Sequence, residues 1–426
     1  MNMKEHYYFD NASTTWPKPE PVYRFMDEFF RNYGVNPGRS GHSLAVESEK
    51  MVFETRRLLA QFFGFAGDPD RVVFTQNVTD SLNIALFGLL DAGDHVITTC
   101  MEHNSVLRPL YHLERDRAVR VSRIGADDEG FVDPQAIRAA LRPKTKAVVI
   151  NHGSNVLGSV QDLEAISAIA REAQAILIVD SAQSAGVLPI DMDGLGIGVL
   201  CFTGHKGLFG PMGIGGLVTA QGIDIRHGRV GGTGVDSISA FQPDTWPHRL
   251  EAGTCPLPGI AGLNAAQKWF AALGRSPECA AAGDDAPDPE GVETRSAEAG
   301  EAKTLDHASA CRRAVARIEA VEVEHIRRLR EGLEAIDGVV VYGPKGNRPQ
   351  IATLAFNIGS MPADQAGEML DADYHLCVRA GLHCAPLVHE NLGTVQRRGA
   401  VRISPGYFTD ADEIEHALAG IAEIAR

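Results

Sequence analysis

The chain has 426 residues, enough for roughly two or three domains and a sizeable core. Apolar residues make up 44% and charged residues 22%, an ordinary balance for a soluble globular protein. The net charge of −15 argues against nucleic acid or an anionic membrane as a partner, since both need a basic face.

The N-terminal stretch MNMKEHYYFDNASTT lacks the basic-then-apolar pattern of a signal segment. The longest apolar runs, such as AILIV at 175–179, are too short to span a bilayer. Cysteines at 100, 201, 255, 279, 311, 377 and 384 are scattered and form no CxxC. That usage predicts a reducing, cytoplasmic setting and no disulfide framework.

Residues 44–63 carry Met51, Thr55, Leu58, Leu59 and Phe62 at helical spacing, with Gly64 as the expected C-terminal cap. Short apolar segments follow at 71–75, 95–99, 147–151, 175–180, 198–203 and 214–219. They are runs and not alternations, as strands covered on both faces read. Helical stretches intervene, one opened by Asp133 and Pro134 and another over 162–173. Strands alternating with helices predict an α/β fold with a mostly parallel sheet. Thr79 is the candidate cap of a helix bearing Leu82, Ala85, Leu86 and Leu89.

Composition shifts after Gly274. Residues 275–310 hold no aromatic side chain, and nine acidic groups face three basic ones. Such a stretch buries too little apolar surface to offset its ordering entropy, so it reads as a flexible surface insertion. Cys279 and Cys311 near its edges read as exposed. A helix is expected over 315–336, then a smaller α+β region with strands near 338–342, 351–357 and 374–380.

Three short stretches carry candidate chemistry. CFTGHKGLFGPMGIGG at 201–216 sets Lys206 at a strand exit among glycines, where backbone can approach a ligand. The bland alternative is a surface lysine. P-loop and GxGxxG orders are absent, so Lys206 suits a Schiff base better than a nucleotide. LIVDSAQSAG at 177–186 ends a strand in Asp180, which either faces a ligand crevice or caps a helix. RAGLHCAP at 379–386 carries Cys384, which alone could be a buried apolar residue, a metal ligand or a reactive sulfur. Structural zinc on Cys377, His383, Cys384 and His389 is disfavoured, because the cysteine spacing is not that of a zinc knuckle.

Taken together, TGHK, VDSAQ, MEHN, SNVLG and RAGLHCAP resemble the aminotransferase class V group of fold-type I pyridoxal phosphate (PLP) enzymes. RAGLHCAP is most similar to the second-group cysteine desulfurases, which also act as selenocysteine lyases. The resemblance implies a large PLP-binding domain over 1–265, with the extreme N-terminus packing on the smaller part. A small C-terminal domain over 266–426 would carry the acidic insertion. Lys206 would hold PLP covalently and move protons. Asp180 would pair with the pyridine nitrogen, and His103 would stack on the ring. Gln183 and Asn155 would lie near the ring hydroxyl. Val78, Thr79, Thr203 and His205 would hold the phosphate, although Val78 stands where many relatives have threonine. Thr254 would reach the phosphate of a second subunit, which implies a homodimer. Arg402, Asn155, Arg379 and His42 would meet the substrate. Cys384 would take sulfur from L-cysteine as a persulfide and pass it to an acceptor protein, leaving alanine. The alternatives are a selenocysteine lyase acting on L-selenocysteine, or a cystine lyase or transaminase in which Cys384 is incidental.

Overall fold

The computed structural model describes residues 6–38, 41–280 and 305–426. Its strands, in chain order, are β1 (Tyr7–Tyr8), β2 (Val72–Thr75), β3 (His95–Thr99), β4 (Arg120–Ile124), β5 (Thr145–Asn151), β6 (Ile176–Asp180), β7 (Val199–Thr203) and β8 (Gly215–Thr219). The C-terminal part adds β9 (Val339–Tyr342), β10 (Leu354–Ile358), β11 (Leu376–Cys377), β12 (Arg379–Gly381) and β13 (Ala400–Ile403).

The first sheet runs in the order β2-β8-β7-β6-β5-β3-β4. Only β8 is antiparallel to its neighbours; the other pairings are parallel. Successive residues enter opposite cores, as the pleat requires. Val148 and Ile150 face one layer of helices while Ala147 and Val149 face the other. Leu200 and Phe202 divide from Val199 and Cys201 in the same way. All six strands expected for this sheet are present. The sequence pattern missed β4, an edge strand of sequence RVSRI with no fully buried residue. Nothing forces an apolar run there.

Helix Ser43–Phe62 ends where expected, with Gly64 at φ 63°. Asp133 and Asp162 accept amide hydrogen bonds at the starts of Pro134–Ala139 and Leu163–Glu172. At Val78–Leu89 the cap is Asn77, not Thr79: Asn77 Oδ1 accepts from Asp80 N at 3.0 Å. Asparagine presents its oxygen two positions earlier, which leaves the Thr79 hydroxyl free for other partners.

The helix expected over 315–336 is Asp306-capped and spans His307–Glu334, so it begins inside the stretch read as an insertion. Cys279 and Cys311 are buried at 3% and 1% exposure, correcting the expectation that they lie exposed. The cause is close helix packing. A Cβ at Gly274 would stand 1.8 Å from Ala310 O, so the backbones of Leu257–Gly274 and His307–Glu334 meet there. Residues 281–304 of the acidic stretch lie outside the described residues.

The second sheet is antiparallel, in the order β12-β13-β10-β9. Its core joins Leu354, Phe356, Val401 and Ile403 to Phe9 from the N-terminus. The strand expected at 374–380 is two pieces. β12 pairs with β13, whereas β11 pairs in parallel with β1. Among the described residues no helix is long and apolar enough to cross a membrane.

Candidate active site

The carboxyl ends of β3, β5, β6 and β7 open onto one cavity of about 250 Å³. This is where an open α/β sheet presents a ligand crevice. Ten of the expected residues line it: Val78, Thr79, His103, Asn155, Asp180, Gln183, Thr203, His205, Lys206 and Arg379.

One end of the cavity meets the start of helix Val78–Leu89. First-turn amides have no partner in their own helix and carry the positive end of its dipole, which suits an anion. Thr79 Oγ1 lies 2.7 Å from Ser105 Oγ. Across the cavity, Thr203 Oγ1 and His205 Nδ1 are buried with no hydrogen-bond partner among the described residues. A Cβ at Gly215 would come within 2.7 Å of Asn77 Cα, so this glycine lets the capping turn sit against β8.

Burial lowers the Lys206 amine to about 8, with Arg402 and Arg379 adding to the effect. A lysine so depressed is half neutral at about pH 8 and holds a nucleophilic neutral fraction of roughly a tenth at pH 7. Asp180 is 2% exposed, and burial raises its carboxyl; Ala182 N donates to Oδ1 at 2.9 Å and Lys206 partly offsets the shift. A buried carboxylate at this position gains from a cationic partner. His103 caps helix Asn104–Arg117, with Nδ1 accepting from Ser105 N at 3.1 Å. Burial, and then Lys206, brings His103 down to about 4.

A second opening lies outside the first and shares Thr79, His103 and Ser105 with it. Cys384 sits on this outer groove and is exposed. Arg379 Nη2 approaches its Sγ at 3.8 Å. His103 therefore forms a wall between the Lys206 cavity and Cys384.

Arg402 is buried beside the cavity, donating to Asn155 O at 3.0 Å, Asp10 Oδ1 at 2.6 Å and Ser13 Oγ at 2.7 Å. Two expected residues lie elsewhere. His42 is exposed and caps Ser43–Phe62, accepting from Ala45 N at 3.2 Å. Thr254 is exposed between Gly253 and Cys255, which line a separate cavity of about 270 Å³ with Arg56 and Glu251.

The aminotransferase class-V family model matches residues 7–280 and 299–417. The chain belongs to the aminotransferase class-V family. A class-V relative, a probable cysteine desulfurase of Methanothermobacter thermautotrophicus, is 32% identical over 99% of this chain and 96% of its own length. The apo cysteine desulfurase of Thermococcus onnurineus NA1 superposes at a TM-score of 0.84 with 30% identity, covering 99% of this chain and 95% of that one. A C-DES variant with glycine covalently linked to its PLP cofactor gives 0.75 at 21% identity, covering 99% and 97%, which shows the shared fold.

Class-V membership implies PLP, and the donor set fits it. The unpartnered Thr203 Oγ1 and His205 Nδ1 are matched to a phosphate near the helix start, and unpartnered Asn155 Oδ1 to a polar ring substituent. Lys206 would supply the amine and Asp180 the carboxylate, both lining the cavity. Sequence reasoning missed several members of this class-V site. Asn77, Ser105 and Asn151 were within reach, since each borders a motif already singled out. Ser13 and Asp10 were not: Arg402, which holds both, is nearly 400 positions away in sequence.

Proposed function

We propose that this chain is a PLP-dependent cysteine desulfurase, converting L-cysteine to L-alanine and taking the sulfur on Cys384 as a persulfide. The observation that carries this reading is the place of Cys384. It lies on the outer side of His103, with Lys206 and Asp180 on the inner side. A transaminase needs no sulfur nucleophile at the mouth of its site.

In this reading PLP, when bound, withdraws electrons from the substrate. Lys206 Nζ holds the cofactor and then moves the Cα proton. Asp180 would pair with the ring nitrogen, and His103 would cover the ring. Val78, Thr79, Thr203 and His205 hold the phosphate, with Asn155 and Gln183 near the ring hydroxyl. Arg402 orients the substrate carboxylate, and Arg379 guides the sulfur side. The Cβ–S bond of the substrate breaks, a new S–S bond forms at Cys384 Sγ, and the carbon keeps the electron pair and takes a proton. Cysteine and a thiol thus become alanine and a persulfide, with no outside oxidant.

Exposure of Cys384 supports delivery to an acceptor protein. A homodimer is supported by the exposed loop residues Val230, Ile238 and Phe241, which lie in the segment that precedes Thr254. Thr254 would serve the neighbouring subunit there. A division into large and small domains is supported by the separate seven-stranded and four-stranded sheets, while residue 265 itself falls within helix Leu257–Gly274. The free state of all seven cysteines fits a reducing cytoplasm.

Replacing Cys384 tests the reading. Cys384→Ala should keep the cofactor absorbance and still respond spectrally to L-cysteine, while alanine release falls to background. Alanine and sulfide at the wild-type rate would leave a lyase or transaminase. Activity confined to selenocysteine would favour the lyase on that substrate.

A further inference from the structure

Beneath the loop that carries Cys384 lies a buried polar assembly that the proposed chemistry does not use. His383, His389 and Thr394 are 3%, 0% and 1% exposed. The loop above them is strained: His383 and Cys384 stand side by side in the left-handed region at φ 51° and 55°. A non-glycine residue held there is strained, and such strain persists only where the surroundings over-determine it. Two restraints come from the large sheet's side. Asn104 N donates to Cys384 O at 2.7 Å, and Asn155 Nδ2 donates to His383 O at 2.7 Å. The third is a chain of side chains. His383 Nε2 lies 3.2 Å from Arg379 O, His383 Nδ1 lies 3.2 Å from His389 Nε2, and His389 Nδ1 lies 2.8 Å from Thr394 Oγ1.

The direction of this chain follows from its end. A carbonyl oxygen only accepts, so the His383 proton is on Nε2. Burial holds His383 well below the usual imidazole range and His389 at about 4, so both rings are neutral at neutral pH. A neutral imidazole has one donor and one acceptor. His383 Nδ1 therefore accepts, His389 Nε2 donates, and His389 Nδ1 accepts from the Thr394 hydroxyl. One tautomer of each ring satisfies every link.

We propose that His389, oriented by Thr394, is a positioning residue for Cys384. His389 lies on helix Pro386–Asn391, which begins just after the cysteine. Through His383 it ties that helix back to the Arg379 carbonyl on β12, closing a brace around the strained turn. Because Arg379 also carries the guanidinium facing Cys384 Sγ, the brace fixes the sulfur and its neighbouring donor together. Displacement at sulfur is in line, so the nucleophile must be held in angle as well as in distance. The proposal rests on the reading of Cys384 as the sulfur acceptor.

The test compares His389→Leu with His389→Gln in the PLP-loaded enzyme. A glutamine amide can still donate to His383 Nδ1. Two rates are read: alkylation of Cys384 by iodoacetamide, followed by peptide mass, and single-turnover persulfide formation from L-cysteine. His389→Leu should slow persulfide formation about tenfold or more and change the alkylation rate about threefold, with cofactor absorbance and cysteine affinity unchanged. His389→Gln should recover both rates to within about threefold of wild type. Wild-type rates in His389→Leu, or equal impairment in the two variants, would overturn the proposal. Should His389→Leu fail to fold, Thr394→Val takes its place. It should slow persulfide formation about threefold, and a wild-type rate there counts against the brace. Alkylation needs no turnover. If the wild-type enzyme formed no persulfide, the desulfurase reading would fail while alkylation still judged the brace.

Discussion

Arg402 Nη2 donates to Asp10 Oδ1 at 2.6 Å, joining β13 to the segment that follows β1. Ser13 and the Asn155 carbonyl take two more of its bonds, and its buried Nε has no partner among the described residues. The guanidinium is thus ordered in advance, with its Nε donor unspent. A substrate carboxylate would take Nε or compete with Asp10 for the Nη2 side.

Arg402→Lys should separate charge from geometry. An ammonium keeps the charge but cannot reach Asn155 O, Asp10 and a carboxylate in one plane. We expect kcat/KM for L-cysteine to fall about 100-fold, mainly through KM, with cofactor absorbance retained. Kinetics within about threefold of wild type would remove Arg402 from substrate recognition.

Lys206 yields a prediction in pH. Burial sets its amine at about 8, against an ordinary value of 10.5. The neutral form reacts, so the rate at which cofactor-free protein takes up PLP should rise with pH and level off above about 8. A rise that continued to pH 10 would contradict the depressed amine. Borohydride reduction and peptide mapping should find the pyridoxyl group on Lys206 and nowhere else in wild type, and no such adduct in Lys206→Ala.

Acid sensitivity should follow from the buried histidines away from the cofactor. Burial puts His152 and His389 at about 4, and holds His383 well below the usual imidazole range. Unfolded imidazole titrates near 6.5, so unfolding takes up protons between about 6.5 and 4 and stability falls with falling pH. Each fully buried histidine contributes about 1.4 kcal/mol per pH unit across that window. Glu102 and Glu322 act oppositely. Burial raises both to about 8, so their contribution is present below the ordinary carboxylate range and lost as pH rises towards 8. Three histidines outweigh two glutamates below pH 6.5. Above it the two glutamates outweigh Lys18, whose amine burial holds at about 7 and which opposes them singly. The Tm of the PLP-loaded enzyme should therefore peak near pH 6.5. A Tm flat from pH 7 to 5 would mean these rings are protonated or hydrated.

The central sheet was legible because strands buried on both faces must be continuously apolar. The edge strand β4 escaped because solvent on its open side removes that demand. Lys206 and Asp180 were legible for a similar reason, each being a polar residue that ends an apolar run. Cys384 became readable only through family resemblance. What places it is a buried histidine pair and an arginine, none of which has periodicity to betray it. Cys279 and Cys311 were misread because local composition hid a helix contact made by Gly274, a residue with no side chain to signal packing. Asp10 could not be inferred at all, since its partner is assigned by tertiary pairing of the N-terminus with the far end of the chain.

Arg275 donates from Nε and Nη2 to the Leu305 carbonyl, at 3.1 and 2.9 Å. The family match also pauses after residue 280 and resumes at 299. The described residues that flank the stretch 281–304 are thus latched to one another by Arg275 and the Leu305 carbonyl. The latch itself does not depend on how many residues separate its two sides. Lineages could lengthen, shorten or recode the intervening stretch without disturbing the catalytic apparatus, and a reporter domain or affinity handle could be spliced in there with both its ends anchored.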